Sequence, residues 1–279
     1  NVWIEMLEDA RKRKLKSKYI GGTAYSDTLP DKSLFKDKKY LPISLVETGR
    51  GCCNFCEFCS IAGYYESCYH PRSHQDIIKD IKSSKHNYHF LVDDNLVADC
   101  QNVKELLRAI TPLKIKWAGQ GTLSMARDLE LLKIMKDSGC ELILIGFESL
   151  EEESLKQMNK SWTRSLEETE KLVNRIHEAG IGIYATFVFG YDGDTKETFK
   201  KTLDFAKKHR FYTAAFNHLL PFPGTDLYQR LKEEGRLCYD KWWLEEDYNY
   251  GEVSFIPKHM SPEELSQLCR QGRKEFSRL

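Results

Sequence analysis

Between residues 49 and 59 the chain reads GRGCCNFCEFC, with thiols at Cys52, Cys53, Cys56 and Cys59. Thiols this close together bind soft metals once deprotonated. A zinc ion could take all four, although structural zinc sites usually pair two separate C-x2-C knuckles. Three thiolates in one loop can instead hold three irons of a 4Fe–4S cluster, leaving the fourth iron open to a ligand. A ferredoxin-type run would need a fourth cysteine in register, and none follows Cys59 until Cys68. The nine cysteines are odd in number and unevenly spread over 279 residues. That argues against a secreted disulfide scaffold and for a reducing, cytoplasmic setting in which clustered thiols bind metal.

Other polar residues follow apolar runs. FLVDDN (90–95) places Asp93, Asp94 and Asn95 after a strand-like stretch. The two carboxylates could accept charge-assisted hydrogen bonds from an ammonium group, or Asp94, Asn95 or Asp99 could cap the next turn and helix. IGFES (145–149) ends in Glu148 and Ser149. A carboxylate there must face a polar pocket or pair with a structural Arg or Lys, because burial alone is strongly unfavourable. FVFGYDGDT (187–195) lacks the rest of an EF-hand loop, so Asp194 or Thr195 is expected to cap the following helix. His218 reads as a packed or solvent-bridging histidine. There is no G-x-S-x-G elbow, H-E-x-x-H or P-loop.

Periodicity predicts the elements that must position these residues. Apolar β-type runs lie at 42–47, 88–94, 114–119, 140–148, 181–190 and 212–220. Helical patterns lie between them at 74–84, 102–110, 126–139, 166–180 and 196–208, and Gly139 and Gly180 fall where helix-ending glycines belong. The alternation reads as parallel βαβ units, hence an α/β barrel or an open doubly wound sheet. Apolar strands such as LILIGF suit a sheet covered on both faces. In such folds chemistry collects after the carboxyl ends of strands, where the four thiols stand relative to the first strand.

Acidic and basic residues balance at 42 each, which points to no nucleic-acid or membrane partner. The basic run RKRKLKSK (11–18) reads as a solvated helix face, and no apolar stretch approaches the length of a transmembrane segment. Residues 1–39 are charged and end in the turn-rich GGTAYSDTLPDKS. Residues 235–279 open with an aromatic, acidic loop and close with a helix capped by Ser261, with Pro262 at its first position. With neither an initiator methionine nor a signal-peptide pattern, the chain reads as a candidate fragment.

The spacing Cys52-x3-Cys56-x2-Cys59, with Phe58 before the last cysteine and Arg50-Gly51 before the first, resembles the signature of radical S-adenosylmethionine (radical SAM) enzymes. The resemblance assigns Cys52, Cys56 and Cys59 to a 4Fe–4S cluster and makes Cys53 a bystander. The competing register, Cys53-x2-Cys56-x2-Cys59, is left open by spacing alone. The likeness extends over roughly residues 40–279 and is to the subclass that carries a cobalamin-binding domain. It implies a partial (β/α)6 TIM-like barrel with a C-terminal helical extension. Residues 1–39 would be a linker and helix leaving an upstream cobalamin-type domain, 40–234 the barrel, and 235–279 an extension covering it.

On the same resemblance, Asp93, Asp94 and Asn95 would meet the amino group of S-adenosylmethionine. Glu148 would meet its ribose or methionyl part, with Gln120 of WAGQGT (117–122) and Ser149 nearby. Val188 and Gly190 would lie against adenine, and Phe58 joins the cofactor-binding set. LLPFPGT (219–225) and FIPKHMSPEEL (255–265) are similar to the same subclass. The implied reaction is reductive cleavage of S-adenosylmethionine to a 5′-deoxyadenosyl radical, which abstracts hydrogen from an unactivated C–H. A small or lipid-like substrate, methylation or C–C bond formation, and an electron donor such as flavodoxin or ferredoxin are implied with it. Cobalamin would enter only through a missing N-terminal domain. The alternatives are a tRNA-modifying branch, which would need an RNA-binding module or basic face not evident here, and a non-catalytic iron–sulfur or zinc protein.

Overall fold

Six of the expected apolar runs form the strands of one parallel sheet in the computed structural model, which describes residues 2–21, 29–35, 37–160, 165–249 and 251–277. The chain runs α1 (Val2–Arg11), β1 (Ile43–Val46), β2 (Gly49–Gly51), α2 (Ser60–Tyr64), β3 (Tyr69–Pro71), α3 (His74–Ser83), β4 (Tyr88–Leu91), α4 (Cys100–Ile110) and β5 (Lys116–Gly121). It continues α5 (Leu129–Asp137), β6 (Cys140–Glu148), α6 (Glu152–Gln157), α7 (Leu166–Glu178), β7 (Gly182–Phe189), α8 (Lys196–Lys208), β8 (Thr213–His218), α9 (Asp226–Glu233) and α10 (Pro262–Phe276).

The strand order is β1-β4-β5-β6-β7-β8, parallel throughout, with β1 and β8 at the two edges. This monotonic order excludes the doubly wound alternative. With right-handed crossovers, strands added always on the same side place every connecting helix on the same face. The result is an open (β/α)6 barrel segment with helices outside and a concave face inside.

Burial follows that geometry. Along β7, Ile183, Ala185, Phe187 and Phe189 are buried against the helical layer, while Tyr184, Thr186 and Val188 are only partly covered. On β1, Leu45 is 62 % exposed. The expectation of a sheet covered on both faces is therefore corrected: an incomplete barrel leaves its concave side open. Its helical side holds the core, where Phe187 and Phe216 stack with centroids 5.6 Å apart.

Local signals account for most boundaries. Gly139, with φ +97°, ends the turn after α5, and a Cβ there would stand 2.0 Å from the Ile115 carbonyl oxygen. α5 starts later than its pattern predicts because Asp128 accepts from the Leu131 N–H, and 123–127 form a 3-10 turn. Thr195 caps α8 and Ser261 caps α10, each closing a capping box. α10 packs on β8 and α8 on the outer face, while Phe255 lies against Gly190 at the carboxyl end of β7.

The basic run 11–18 is not a helix face: α1 stops at Arg11 and the following lysines are exposed. Residues 22–28 of the turn-rich stretch lie outside the described residues. The β2–β3 hairpin and helices α2, α6 and α9 carry no strong periodicity and lie beyond what the sequence patterns predict.

Candidate functional site

β1 delivers the chain to the carboxyl edge of the sheet, and the β2–β3 hairpin then turns the cysteine stretch back over it. Cys56 is buried, Cys52 and Cys59 are half-buried, and Cys53 is exposed. The Cys59 N–H donates to the Cys56 carbonyl at 3.0 Å, closing a turn between these two thiols. Burial pushes the Cys56 thiol up to about 11, with Lys160 opposing the rise and Cys59, Cys52 and Glu148 adding to it. Cys52 and Cys59 are thus electrostatic neighbours of Cys56.

The loop after β4 is built around this stretch. Thr48 donates to Asp93 through its N–H (2.7 Å) and its hydroxyl (2.5 Å), so Asp93 bridges two strand ends. Burial raises the Asp93 carboxyl to about 6, against the pull of the Thr48 hydrogen bonds. Asp94 accepts from the Gly51 N–H at 2.9 Å, and its carbonyl accepts from the Gln120 amide at 2.9 Å. Asn95 Nδ2 donates to the Cys52 sulfur at 3.5 Å, and its buried Oδ1 has no hydrogen-bond partner among the described residues. Asp99, in place of the earlier residues, caps α4.

Glu148, at the end of β6, pairs with Lys160 at 2.7 Å in a nearly dry setting. Lys160 also donates to the Gly146 carbonyl at 3.2 Å and sits 5.9 Å from the centroid of Phe58. Phe58 meets Tyr191 edge-on at 6.5 Å, so the residue before Cys59 is held between a cation and an aromatic ring. Ser149 accepts from the Glu151 N–H at 3.0 Å and shapes the turn after β6.

At β7, Val188 lies on the open face beside Asn217 of β8. Gly190 has φ +118° and is packed under Phe255, where a Cβ would meet the ring at 2.5 Å. Its N–H donates to Asp194 at 2.9 Å, as does that of Tyr191 at 3.0 Å. Asp194 therefore closes this loop and leaves the helix cap to Thr195. His218 places its ring nitrogens 3.1 and 3.0 Å from the carbonyl oxygens of Leu219 and Gly251.

Two features escape a reading of the sequence. Lys160 is one of two lysines between Glu148 and Leu166, and only the expectation that Glu148 needs a cation points toward it. The ion pair between Glu57 and Arg230 joins residues 173 apart and leaves no local trace.

The donor set suits an iron–sulfur cluster: three thiols come from one loop, one buried and two half-buried, beside a buried amide with a spare oxygen. Among the described residues no three His, Cys, Asp or Glu side chains converge on a single ion position. Thiolates that each bind a different iron need no such convergence, whereas a four-thiolate zinc site does.

A family model described as the Radical SAM superfamily matches residues 46–206. Bacteriochlorophyllide d C-12(1)-methyltransferase of Chlorobaculum tepidum is 30 % identical over 95 % of this chain and 60 % of its own length. The structure of the radical S-adenosylmethionine methyltransferase TsrM from Kitasatospora setae, with cobalamin and a [4Fe-4S] cluster bound, superposes with a TM-score of 0.64 at 21 % identity, covering 81 % of this chain and 46 % of TsrM. The cobalamin-dependent S-adenosylmethionine radical enzyme OxsB superposes with a TM-score of 0.65 at 17 % identity, over 96 % of this chain and 49 % of OxsB. At these identities the two superpositions speak for fold, and the chain spans 60 % or less of each protein named.

Proposed function

The chain belongs to the Radical SAM superfamily, and we propose that it cleaves S-adenosylmethionine reductively and abstracts hydrogen from an unactivated C–H of a small or lipid-like substrate, for methylation or C–C bond formation. The observation that carries this reading is the meeting of Cys52, Cys56 and Cys59 with Asn95 and the Glu148–Lys160 pair at the carboxyl edge of an open parallel sheet.

Cys52, Cys56 and Cys59 would hold the 4Fe–4S cluster, and the exposed Cys53 would stand aside. The chemistry supplied there is one-electron reduction of the sulfonium, C–S cleavage and generation of the 5′-deoxyadenosyl radical. Gln120, bonded to the Asp94 carbonyl, and Asn95, which reaches Cys52, would offer polar groups to the polar end of S-adenosylmethionine, and Asp93 holds this loop to Thr48. Glu148, with Ser149, would offer a carboxylate whose charge Lys160 balances. Val188 and the backbone at Gly190 would flank adenine, and Phe58 would wall the site. The partly covered Leu144, Tyr184, Thr186 and Val188 give the concave face a mainly apolar lining, which favours a substrate of the same character.

Cobalamin use is proposed only through a further domain, since both ring nitrogens of His218 already face carbonyl oxygens. A flavodoxin- or ferredoxin-type protein is the proposed electron source. Among the described residues no helix is long and apolar enough to cross a membrane.

The test is anaerobic. The chain is reconstituted with iron and sulfide, both are counted, S-adenosylmethionine and dithionite are added, and 5′-deoxyadenosine is sought by mass spectrometry. Its formation, and its loss in Cys56→Ala, supports the reading. A loaded protein indifferent to S-adenosylmethionine points to an electron carrier, and retention of zinc in place of iron overturns the assignment.

A further inference from the structure

Glu57 lies between Cys56 and Phe58 and is only 9 % exposed. All of its polar groups are engaged by distant parts of the chain. Its N–H donates to the Met158 carbonyl at 3.2 Å, and its carbonyl accepts from the Leu227 N–H at 3.1 Å, in the first turn of α9. Its carboxylate takes a fork from Arg230 of α9, Nε to Oε1 at 2.6 Å and Nη2 to Oε2 at 3.3 Å. The same guanidinium reaches Asp192 Oδ2 at 3.3 Å. Asp192 in turn receives Gln157 at 2.8 Å, Arg236 at 2.7 Å and Lys258 at 2.8 Å.

We infer that Arg230 is a positioning residue for the cysteine loop, clamping Cys56-Glu57-Phe58 to α9 and, through Asp192, to the C-terminal extension around Arg236 and Lys258. A carboxylate with nowhere to send its charge inside the protein would turn toward water, and because it sits next to Cys56 it would carry that thiol out of its buried position. The bidentate fork fixes direction as well as charge, which a lysine does only in part. The exposed pair between Lys232 of α9 and Asp240 has no such lever, because solvent screens it. The inference rests on the proposed ligand set, since its functional consequence is the placement of one of those three thiols.

The experiment reads the apo protein first. Native-state alkylation with N-ethylmaleimide is followed by mass spectrometry at Cys56, with the buried Cys140 and Cys269 as internal references for global opening. In Arg230→Met, Cys56 should react at least about tenfold faster than in the wild type, a change equivalent to about 1.4 kcal/mol of local opening. Cys140 and Cys269 should keep their rates. Arg230→Lys should fall between the two, and Lys232→Met should match the wild type. In the reconstituted protein, Arg230→Met should surrender iron to a chelator faster by a similar factor. An unchanged Cys56 rate, or a rise shared by all three buried thiols, overturns the clamp. A wild type that takes up no iron overturns the ligand set, while the alkylation result still decides the clamp.

Discussion

Lys160 Nζ lies 2.7 Å from Glu148 Oε1, and neither side chain is more than a tenth exposed. Glu148 itself has φ +62° and stands at a register shift between β6 and β7. A buried pair of this kind contributes little net stability over an apolar replacement, but removing one partner strands the other charge. Lys160→Met or Glu148→Gln alone should destabilise the fold by about 3–5 kcal/mol. The double variant should recover most of that loss. Urea unfolding of the three variants checks the coupling, and simple additivity of the two single losses would refute it.

The two possible cysteine registers separate cleanly. Asn95 reaches Cys52, whereas Cys53 is exposed to solvent. Cys53→Ala should retain the iron and sulfide content of the wild type after reconstitution. Cys52→Ala, Cys56→Ala and Cys59→Ala should each fail to retain the cluster. Retention by Cys52→Ala with loss in Cys53→Ala would assign the other register.

Asp194 supplies a pH dependence with a defined sign. Burial raises its carboxyl from the ordinary 3.8 to about 6, against hydrogen bonds from Gly190, Ser154 and Tyr191. A raised carboxyl stabilises the fold while protonated, so this contribution is complete below about pH 4 and is lost as pH rises through about 6. Relative to Asp194→Asn, the wild type should lose about 2 kcal/mol of unfolding free energy between pH 4 and 7. Asp192 has the opposite sign: burial disfavours its charge, yet hydrogen bonds from Lys258, Gln157 and Arg236 hold its carboxyl well below the usual range. Comparing wild type with Asp194→Asn at each pH cancels that second contribution. A constant difference across the range would exclude the assigned role.

Gly139→Ala tests the turn that feeds β6. Alanine would have to hold φ near +97° with its Cβ 2.0 Å from the Ile115 carbonyl oxygen. The cost should be about 2 kcal/mol or more, from conformation and displaced backbone together. At Gly235, φ is +66° and no atom of the described residues lies within 4 Å of an added Cβ, so the loss in Gly235→Ala should be smaller. Thermal unfolding of the two variants ranks them.

Periodicity and short-range chemistry determined what they act on. The run at 140–148 coincides with β6, the pattern at 196–208 with α8, and the Ser261-Pro262 signal with the start of α10. Each depends on residues within a few positions of one another, as does the spacing of Cys52, Cys56 and Cys59. Strand–helix alternation by itself left the strand order open, because it is common to singly and doubly wound sheets; the family resemblance implied the partial barrel, and the sheet order bears it out. The partner of Glu148, the burial of Cys56 beside the exposed Cys53, and the fork from Arg230 to Glu57 arise only on folding. Residues up to 173 positions apart meet there because crossovers bring successive strand ends to one edge, and no local pattern along the chain encodes which of them touch.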